Sequence, residues 1–301
     1  MRRTRTLAGI GIATVALLAL TACNSGSPTD PGAGDGGGEA EEPATWFEVA
    51  SDVSLEGSPT FDAMTERDSV VVGVKEDQPG LGYLDVTTGE RTGFDIDIAR
   101  WIAASLGFDE DKIEFKPIAS ANREQAITNG DIDYYVGTYS ITDKRKEQIS
   151  FAGPYFITGQ GLLVTSDSDI TSEADLTADT TVCSATGSTP IQNIRDNYPD
   201  VPTREFDLYS ACVEALLNGE VQAVTTDQAI LIGYAAADPD NLKVVGEPFT
   251  EERYGVGLAK GDEALQEHIN TLFTDGGDIW QAIFDENLGS SGITVEQPAV
   301  D

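Results

Sequence analysis

Apolar positions along this chain follow two alternating rhythms. Ser69 to Lys75 is an almost unbroken apolar run that gives way to a Pro- and Gly-rich loop over 76–83, the pattern of a strand buried on both faces of a parallel sheet. From Asp95 the period becomes helical: Ile98, Ala99, Ile102, Ala103 and Leu106 share one face, with Asp95 placed as the N-cap and Gly107 as the stop. A strand over 114–118, a helix over 122–129 and a strand over 132–136, opened by Asn129 and Gly130 and closed near Gly137, extend this into a βαβαβ run. The alternation returns downstream, with strands over 181–183 and 203–206, one ending at Asp227, and others over 242–245 and 256–259. Between them fall helices from Ser188 and over 207–218, and two amphipathic helices over 262–273 and 277–284 close the chain. A short helix near 59–66 follows an irregular leader from Trp46, to which the pattern assigns no role.

One stretch repeats. A helix end, Asn-Gly, an acid and a strand over 126–136 recur over 215–225, an offset of 89 that sets Thr138 against Asp227. Helix, Asn-Gly and strand also recur by chance in αβ connections, so the echo alone does not establish a duplication. If it marks two similar lobes, Thr138 and Asp227 both follow equivalent strands, and open α/β sheets bind ligands beyond the carboxyl ends of their strands. The first of these loops gathers Thr138, Ser140, Thr142, Asp143 and Arg145. A guanidinium is a planar fork of donors that matches a carboxylate, and the Ser140 hydroxyl can serve the same oxygens. The plainer alternative is a solvated helical turn over 143–146 capped by Thr142.

The first 22 residues alter the address of the protein rather than its fold. Arg2, Arg3 and Arg5 precede an apolar run from Leu7 to Leu20 that is short for a membrane span, and Leu20-Thr-Ala-Cys23 resembles a bacterial lipobox, with Cys23 as the diacylated mature N-terminus. Residues 23–45 are rich in Gly, Ser, Pro and acids without hydrophobic period, as in a flexible tether. Loss of the three arginines takes the formal charge from −34 to −37. That balance argues against nucleic acid or an anionic membrane surface as partner and for a domain outside the cell. The remaining chain, roughly 250 residues, suffices for two lobes with their own cores.

In an exported chain Cys183 and Cys212 pair most simply as a disulfide, with two free buried thiols the alternative. The lone His268 reads as a surface residue and forms no metal site or nucleophile triad with its neighbours. The glycines of 32–38 fall in the tether, so no phosphate loop is present, and no metal or cofactor is expected.

Further runs carry a resemblance. Residues 72–79 (VGVKEDQP), 92–99 (TGFDIDIA), 120–123 (SANR), 140–146 (SITDKRK), 151–156 (FAGPYF), 159–164 (GQGLLV) and 253–262 (RYGVGLAKGD), in this order, resemble the family-3 extracellular solute-binding proteins, the polar-amino-acid-binding proteins of ABC importers. The resemblance implies an α/β, two-lobed, periplasmic-binding-protein-like type II (Venus flytrap) fold, each lobe a mostly parallel sheet flanked by helices, with two hinge crossings. On that plan 1–22 is the signal peptide, 23–45 the lipid-anchored tether, 46–160 the first part of lobe 1, 161–247 lobe 2 and 248–301 the return to lobe 1. It also implies that Ser140 and Arg145 bind an α-carboxylate and that Thr138 offers a carbonyl to the α-amino group. By the same resemblance, backbone N–H groups of Thr186, Gly187 and Ser188 are expected to face the carboxylate, and Asp227 to pair the ammonium. Leu81 departs from the family where an aromatic often stacks over the ligand, leaving Tyr83 or Tyr139 to supply a face, and Ala185 stands where a glycine is common.

Lys75 closes the first strand at a position that is often acidic in glutamine- or lysine-binding relatives, and with Arg123 and Lys144 it clusters near strand ends. The expected ligand is therefore a free L-amino acid, glutamate before aspartate, with glutamine or asparagine as the alternative. The expected protein is a monomeric, non-enzymatic binding protein anchored outside the cell membrane, delivering its ligand to an ABC permease. The rivals are an enzyme on the same fold, such as a dehydratase or a lytic transglycosylase, and a ligand sensor.

Overall fold

The computed structural model describes residues 46–301. The signal segment over 1–22, Cys23 with its lipidation and the tether to residue 45 lie outside the described residues. The leader packs Trp46, Phe47, Val53 and Leu55 against the core, and Asp262 receives the Ser58 hydroxyl and the Thr60 N–H, which fixes the start of α1 (Pro59–Arg67). The chain continues through β1 (Val70–Val74), β2 (Asp77–Gln78), β3 (Gly82–Leu84), β4 (Arg91–Thr92), α2 (Phe94–Ser105), β5 (Ile113–Pro117), α3 (Arg123–Thr128), β6 (Tyr134–Tyr135), α4 (Asp143–Lys146) and β7 (Ser150–Thr158). It crosses into β8 (Gln160–Thr165), β9 (Val182–Ala185), α5 (Thr189–Asn197), β10 (Thr203–Phe206), α6 (Tyr209–Leu217), β11 (Ala223–Asp227), α7 (Gln228–Ala237) and β12 (Leu242–Val245). It then returns as β13 (Glu252–Leu258), α8 (Glu263–Asp275) and α9 (Gly277–Leu288).

Two five-stranded sheets share one plan. The first runs β5-β1-β6-β13-β7 and the second β10-β9-β11-β8-β12. Within each, the first three strands are parallel, and one strand is reversed against both its neighbours, β13 in one sheet and β8 in the other. The reversed strand is the one that arrives from the opposite lobe. A chain entering from the cleft side must run against strands whose carboxyl ends point to the cleft, so the reversal follows from the crossing. The crossings touch: Phe249 N–H donates to the Gln160 carbonyl (2.9 Å) and Gln160 N–H to Thr250 Oγ1 (3.0 Å).

Burial explains where local pattern and structure part. Asp95 does not cap α2. Gly93 takes that place, and Asp95 turns inward to accept from the Thr138 N–H (2.9 Å) and the Tyr155 hydroxyl (2.8 Å). The small sheet β2-β3-β4 lies where a loop is expected, because strands of two or three residues carry no periodicity. His268 is half-buried and meets the Ser105 hydroxyl at 2.9 Å, since α8 packs on α2. No helix among the described residues is long and apolar enough to cross a membrane.

Cys183 of β9 and Cys212 of α6 form a disulfide, 29 residues apart. Closing a loop of that length stabilises the fold by about 3 kcal/mol through the unfolded chain. Replacing both cysteines by alanine should lower the unfolding free energy by about that amount in urea titrations. An unchanged midpoint and slope would assign the bridge no energetic role.

Candidate functional site

The loop after β6 begins under strain. Thr138 has φ 46°, a left-handed conformation costly for a β-branched residue. It is held there by its N–H on Asp95 and by its hydroxyl on Gln78 Oε1 (3.2 Å). The payment for that strain is direction: Thr138 and Ser140 face the gap between the lobes, while Tyr139, pointing the other way, is wholly buried among Ile127, Ile149 and Phe151.

A narrow cavity of about 10 Å³, room for roughly one water molecule, lies between the lobes. Ser120, Arg123, Thr138 and Ser140 line it from the first lobe, and Ser188, Thr189, Tyr209 and Asp227 from the second. Of the residues the sequence singled out, Thr138, Ser140, Ser188 and Asp227 thus line one cavity, two from each lobe. Ser188 is there because it caps α5, accepting from the Ile191 N–H, so the cavity meets a helix N-terminus.

The others stand elsewhere. Arg145 lies behind Ser140: Nη1 donates to the Ser140 carbonyl (2.7 Å), Nε to Glu124 (3.1 Å), and Nη2 across the lobes to the Gly187 carbonyl (3.1 Å). The Thr142 cap of α4 is present as well, yet α4 is not a solvated turn, since Arg145 is buried. Gly187 lies flush against Ala121, where a Cβ would approach to 2.7 Å of the Ala121 Cα, at a φ of +77°. The Thr186 N–H is taken by the Phe206 carbonyl, which removes it as a donor to a ligand. Tyr139 cannot stack on a ligand from the core, and Tyr83 is exposed outside the cavity lining. Lys75 is not at the cleft mouth. It is 3% exposed, because the β2-β3 hairpin folds back over it and brings Gly82 against its Cβ, and its Nζ reaches Ser120 Oγ at 2.8 Å.

Arg123, expected only to cluster with Lys75 and Lys144 near strand ends, is the cation on the cavity wall. Nε donates to the Ser120 carbonyl (3.0 Å) and Nη1 to the Thr138 carbonyl (3.3 Å). Among the described residues Nη2 has no hydrogen-bond partner. The available signal was its position at the start of the helix directly after β5, a strand end like that of Thr138.

Charges across the cavity are tuned by burial. Asp227 accepts from the Tyr254 hydroxyl at Oδ2 (2.7 Å), whereas Oδ1 is buried without a partner. Burial, with the nearby Glu252 adding to it, pushes the carboxyl up to about 8. Lys75 moves the opposite way, down to about 7, through burial first and the Arg123 charge second. One lobe therefore presents donors and cations, and the other an acid short of a donor. That pattern complements a zwitterion carrying an ammonium and at least one carboxylate. No group of three or more His, Cys, Asp or Glu able to hold a metal occurs among the described residues.

Comparison with known proteins places this geometry. The model for bacterial extracellular solute-binding proteins, family 3, matches residues 70–276. The glutamate-binding protein GluB of Corynebacterium glutamicum is 42% identical over 255 residues, covering 80% of this chain and 85% of that protein. A glutamine-binding protein of Geobacillus stearothermophilus is 41% identical over 254 residues, covering 83% and 92%. Among solved structures, a cysteine-binding protein from Campylobacter jejuni superposes with a TM-score of 0.74 at 30% identity, covering 80% of this chain and 98% of its own.

Proposed function

This chain belongs to the bacterial extracellular solute-binding proteins, family 3, and we propose that it captures one free L-amino acid, glutamate before aspartate, between its lobes and hands it to an ABC permease. In this reading it is a monomer that works outside the cell on a lipid anchor at Cys23, with the domain limits given by the sequence. It is a binding protein and not an enzyme, as its relatives are named.

The observation that carries the reading is Asp227, which lines the same cavity as Arg123 and whose Oδ1 is buried without a partner. The ligand ammonium supplies the missing donor. The α-carboxylate takes the Ser140 hydroxyl and the N-terminus of α5, and Arg145 exchanges the Gly187 carbonyl for a ligand oxygen. The side-chain carboxylate meets Arg123, backed by Lys75 through Ser120. Glutamine is the second reading, favoured by the relatives named for it and by the burial that disfavours the charged form of Lys75.

Calorimetric titration with the twenty amino acids tests the assignment. Glutamate should bind at least tenfold more tightly than glutamine. Charged hydrogen bonds contribute roughly 1.5–3 kcal/mol, so Arg123→Gln should weaken glutamate by about one to two orders of magnitude and glutamine distinctly less. If wild type prefers glutamine, or the variant leaves the ratio unchanged, the side-chain assignment fails while the α-amino-acid clamp stands.

A further inference from the structure

Two guanidinium groups share one aromatic ring beside the cavity. The Arg123 Cζ lies 4.2 Å and the Arg145 Cζ 4.9 Å from the centre of the Tyr139 ring. That ring is fixed from its edges, against Tyr135 at 5.2 Å and Phe151 at 4.9 Å, both edge-on. It is fully buried, and its hydroxyl has no partner. A buried hydroxyl without a hydrogen bond of ordinary geometry adds no stability, so the residue's contribution here is its ring, which phenylalanine would supply as well.

The charge count around the pair is one-sided. Glu124, on Arg145, is the single acid that pairs with either guanidinium among the described residues. Two like charges held this close repel, and each costs desolvation. A second carboxylate would relieve both but would also cancel the field that the cavity offers to an anion. An aromatic face attracts a cation through its quadrupole and carries no net charge, so it holds the guanidinium in place and leaves its charge to be used.

We propose that Tyr139 is a positioning residue for the ligand: its ring holds Arg123 and Arg145 as a fixed cationic pair at the cavity without neutralising them. This rests on the amino-acid-binding reading above and adds the residue that sets its anion-recognising side. Arg123 then reaches the cavity with Nη2 free, and Arg145 stays behind Ser140 rather than folding out to solvent.

Titrating glutamate and glutamine into Tyr139→Phe, Tyr139→Leu and Tyr139→Met tests it, with melting temperatures recorded for each. Tyr139→Phe should bind both ligands within threefold of wild type. Tyr139→Leu and Tyr139→Met, which keep a core-sized apolar group without a π face, should each weaken glutamate at least tenfold and glutamine distinctly less. In an Arg123→Gln background the further loss from Tyr139→Leu should shrink to the part that runs through Arg145, which a general packing defect would not produce. Should Tyr139→Leu not fold, Tyr139→Met carries the same comparison. Binding within threefold in the aliphatic variants, equal loss in Tyr139→Phe, or full additivity with Arg123→Gln overturns the role of Tyr139. A wild type that binds no free amino acid overturns the functional reading instead.

Discussion

Asp227→Asn will weaken amino-acid binding by two to nearly four orders of magnitude while raising the melting temperature of the ligand-free protein at pH 8.5. The first effect comes from the ligand. In a closed cavity the ammonium loses its water, and removing its one charged partner leaves it uncompensated, at a cost of about 3–5 kcal/mol. The second effect comes from Asp227 itself, whose carboxyl is pushed up from 3.8 to about 8 by burial and by Glu252. Between those values the folded protein holds a proton that the unfolded chain has released, so stability falls as pH rises through that window. The full penalty is present above pH 8. Asparagine removes the penalty, keeps an acceptor for the Tyr254 hydroxyl, and cannot attract an ammonium. The gain in melting temperature should therefore shrink as the pH falls and vanish about one unit below the unfolded value of 3.8, where aspartate is neutral in both states. Thermal scans on both sides of that value and at pH 8.5, with calorimetry at pH 8.5, check both halves. Binding within a few-fold of wild type removes Asp227 from the site, and an equal melting temperature at pH 8.5 removes the strain argument.

Much of this site was legible because the two lobes repeat one plan. The 89-residue echo set Thr138 against Asp227, and in the structure β6 and β11 hold the same place in their sheets, parallel to the first strand and antiparallel to the reversed one. What escaped was set by tertiary packing. Lys75 ends its strand as expected, yet a hairpin too short to carry periodicity folds over it. Tyr139 lies between two residues that line the cavity, and the left-handed turn at Thr138, invisible in the sequence, is followed by a side chain in the core. Arg123 carried a mixed signal, because a guanidinium at the start of a surface-looking helix reads as solvated until Tyr139 is seen beneath it. The role of the leader was invisible, since its main partner, Asp262, is some 200 residues away.

Closure itself hangs on a glycine far from the ligand. Gly233 sits inside α7, where glycine costs about 1 kcal/mol relative to alanine, so its presence asks for a reason. The reason is the opposite lobe: a Cβ at this position would lie 2.2 Å from the carbonyl oxygen of Pro79, in the turn between β2 and β3. Beside it the Tyr234 hydroxyl donates to the Asp77 carbonyl, and the Asp77 carboxylate accepts from Ser210 N–H (3.1 Å) at the start of α6, a helix whose own N-cap residue, Leu208, makes no side-chain cap. One lobe thus caps a helix of the other only when the two are together. Backbone meeting backbone has no flexible end to move, so Gly233→Ala must part the lobes or distort the turn, and overpacking of this kind costs roughly 1–3 kcal/mol. Ligand affinity should fall by about 5- to 150-fold although Gly233 is not part of the cavity wall. The unfolding free energy should hold or rise, because the helix gains what the interface loses. Small-angle scattering separates this from damage to the site. A glutamate concentration that compacts the wild type should leave Gly233→Ala extended, whereas Gly161→Ala, with only ordinary contacts around its Cβ, should compact normally. A Gly233→Ala protein that closes and binds like wild type would mean that this contact does not govern closure.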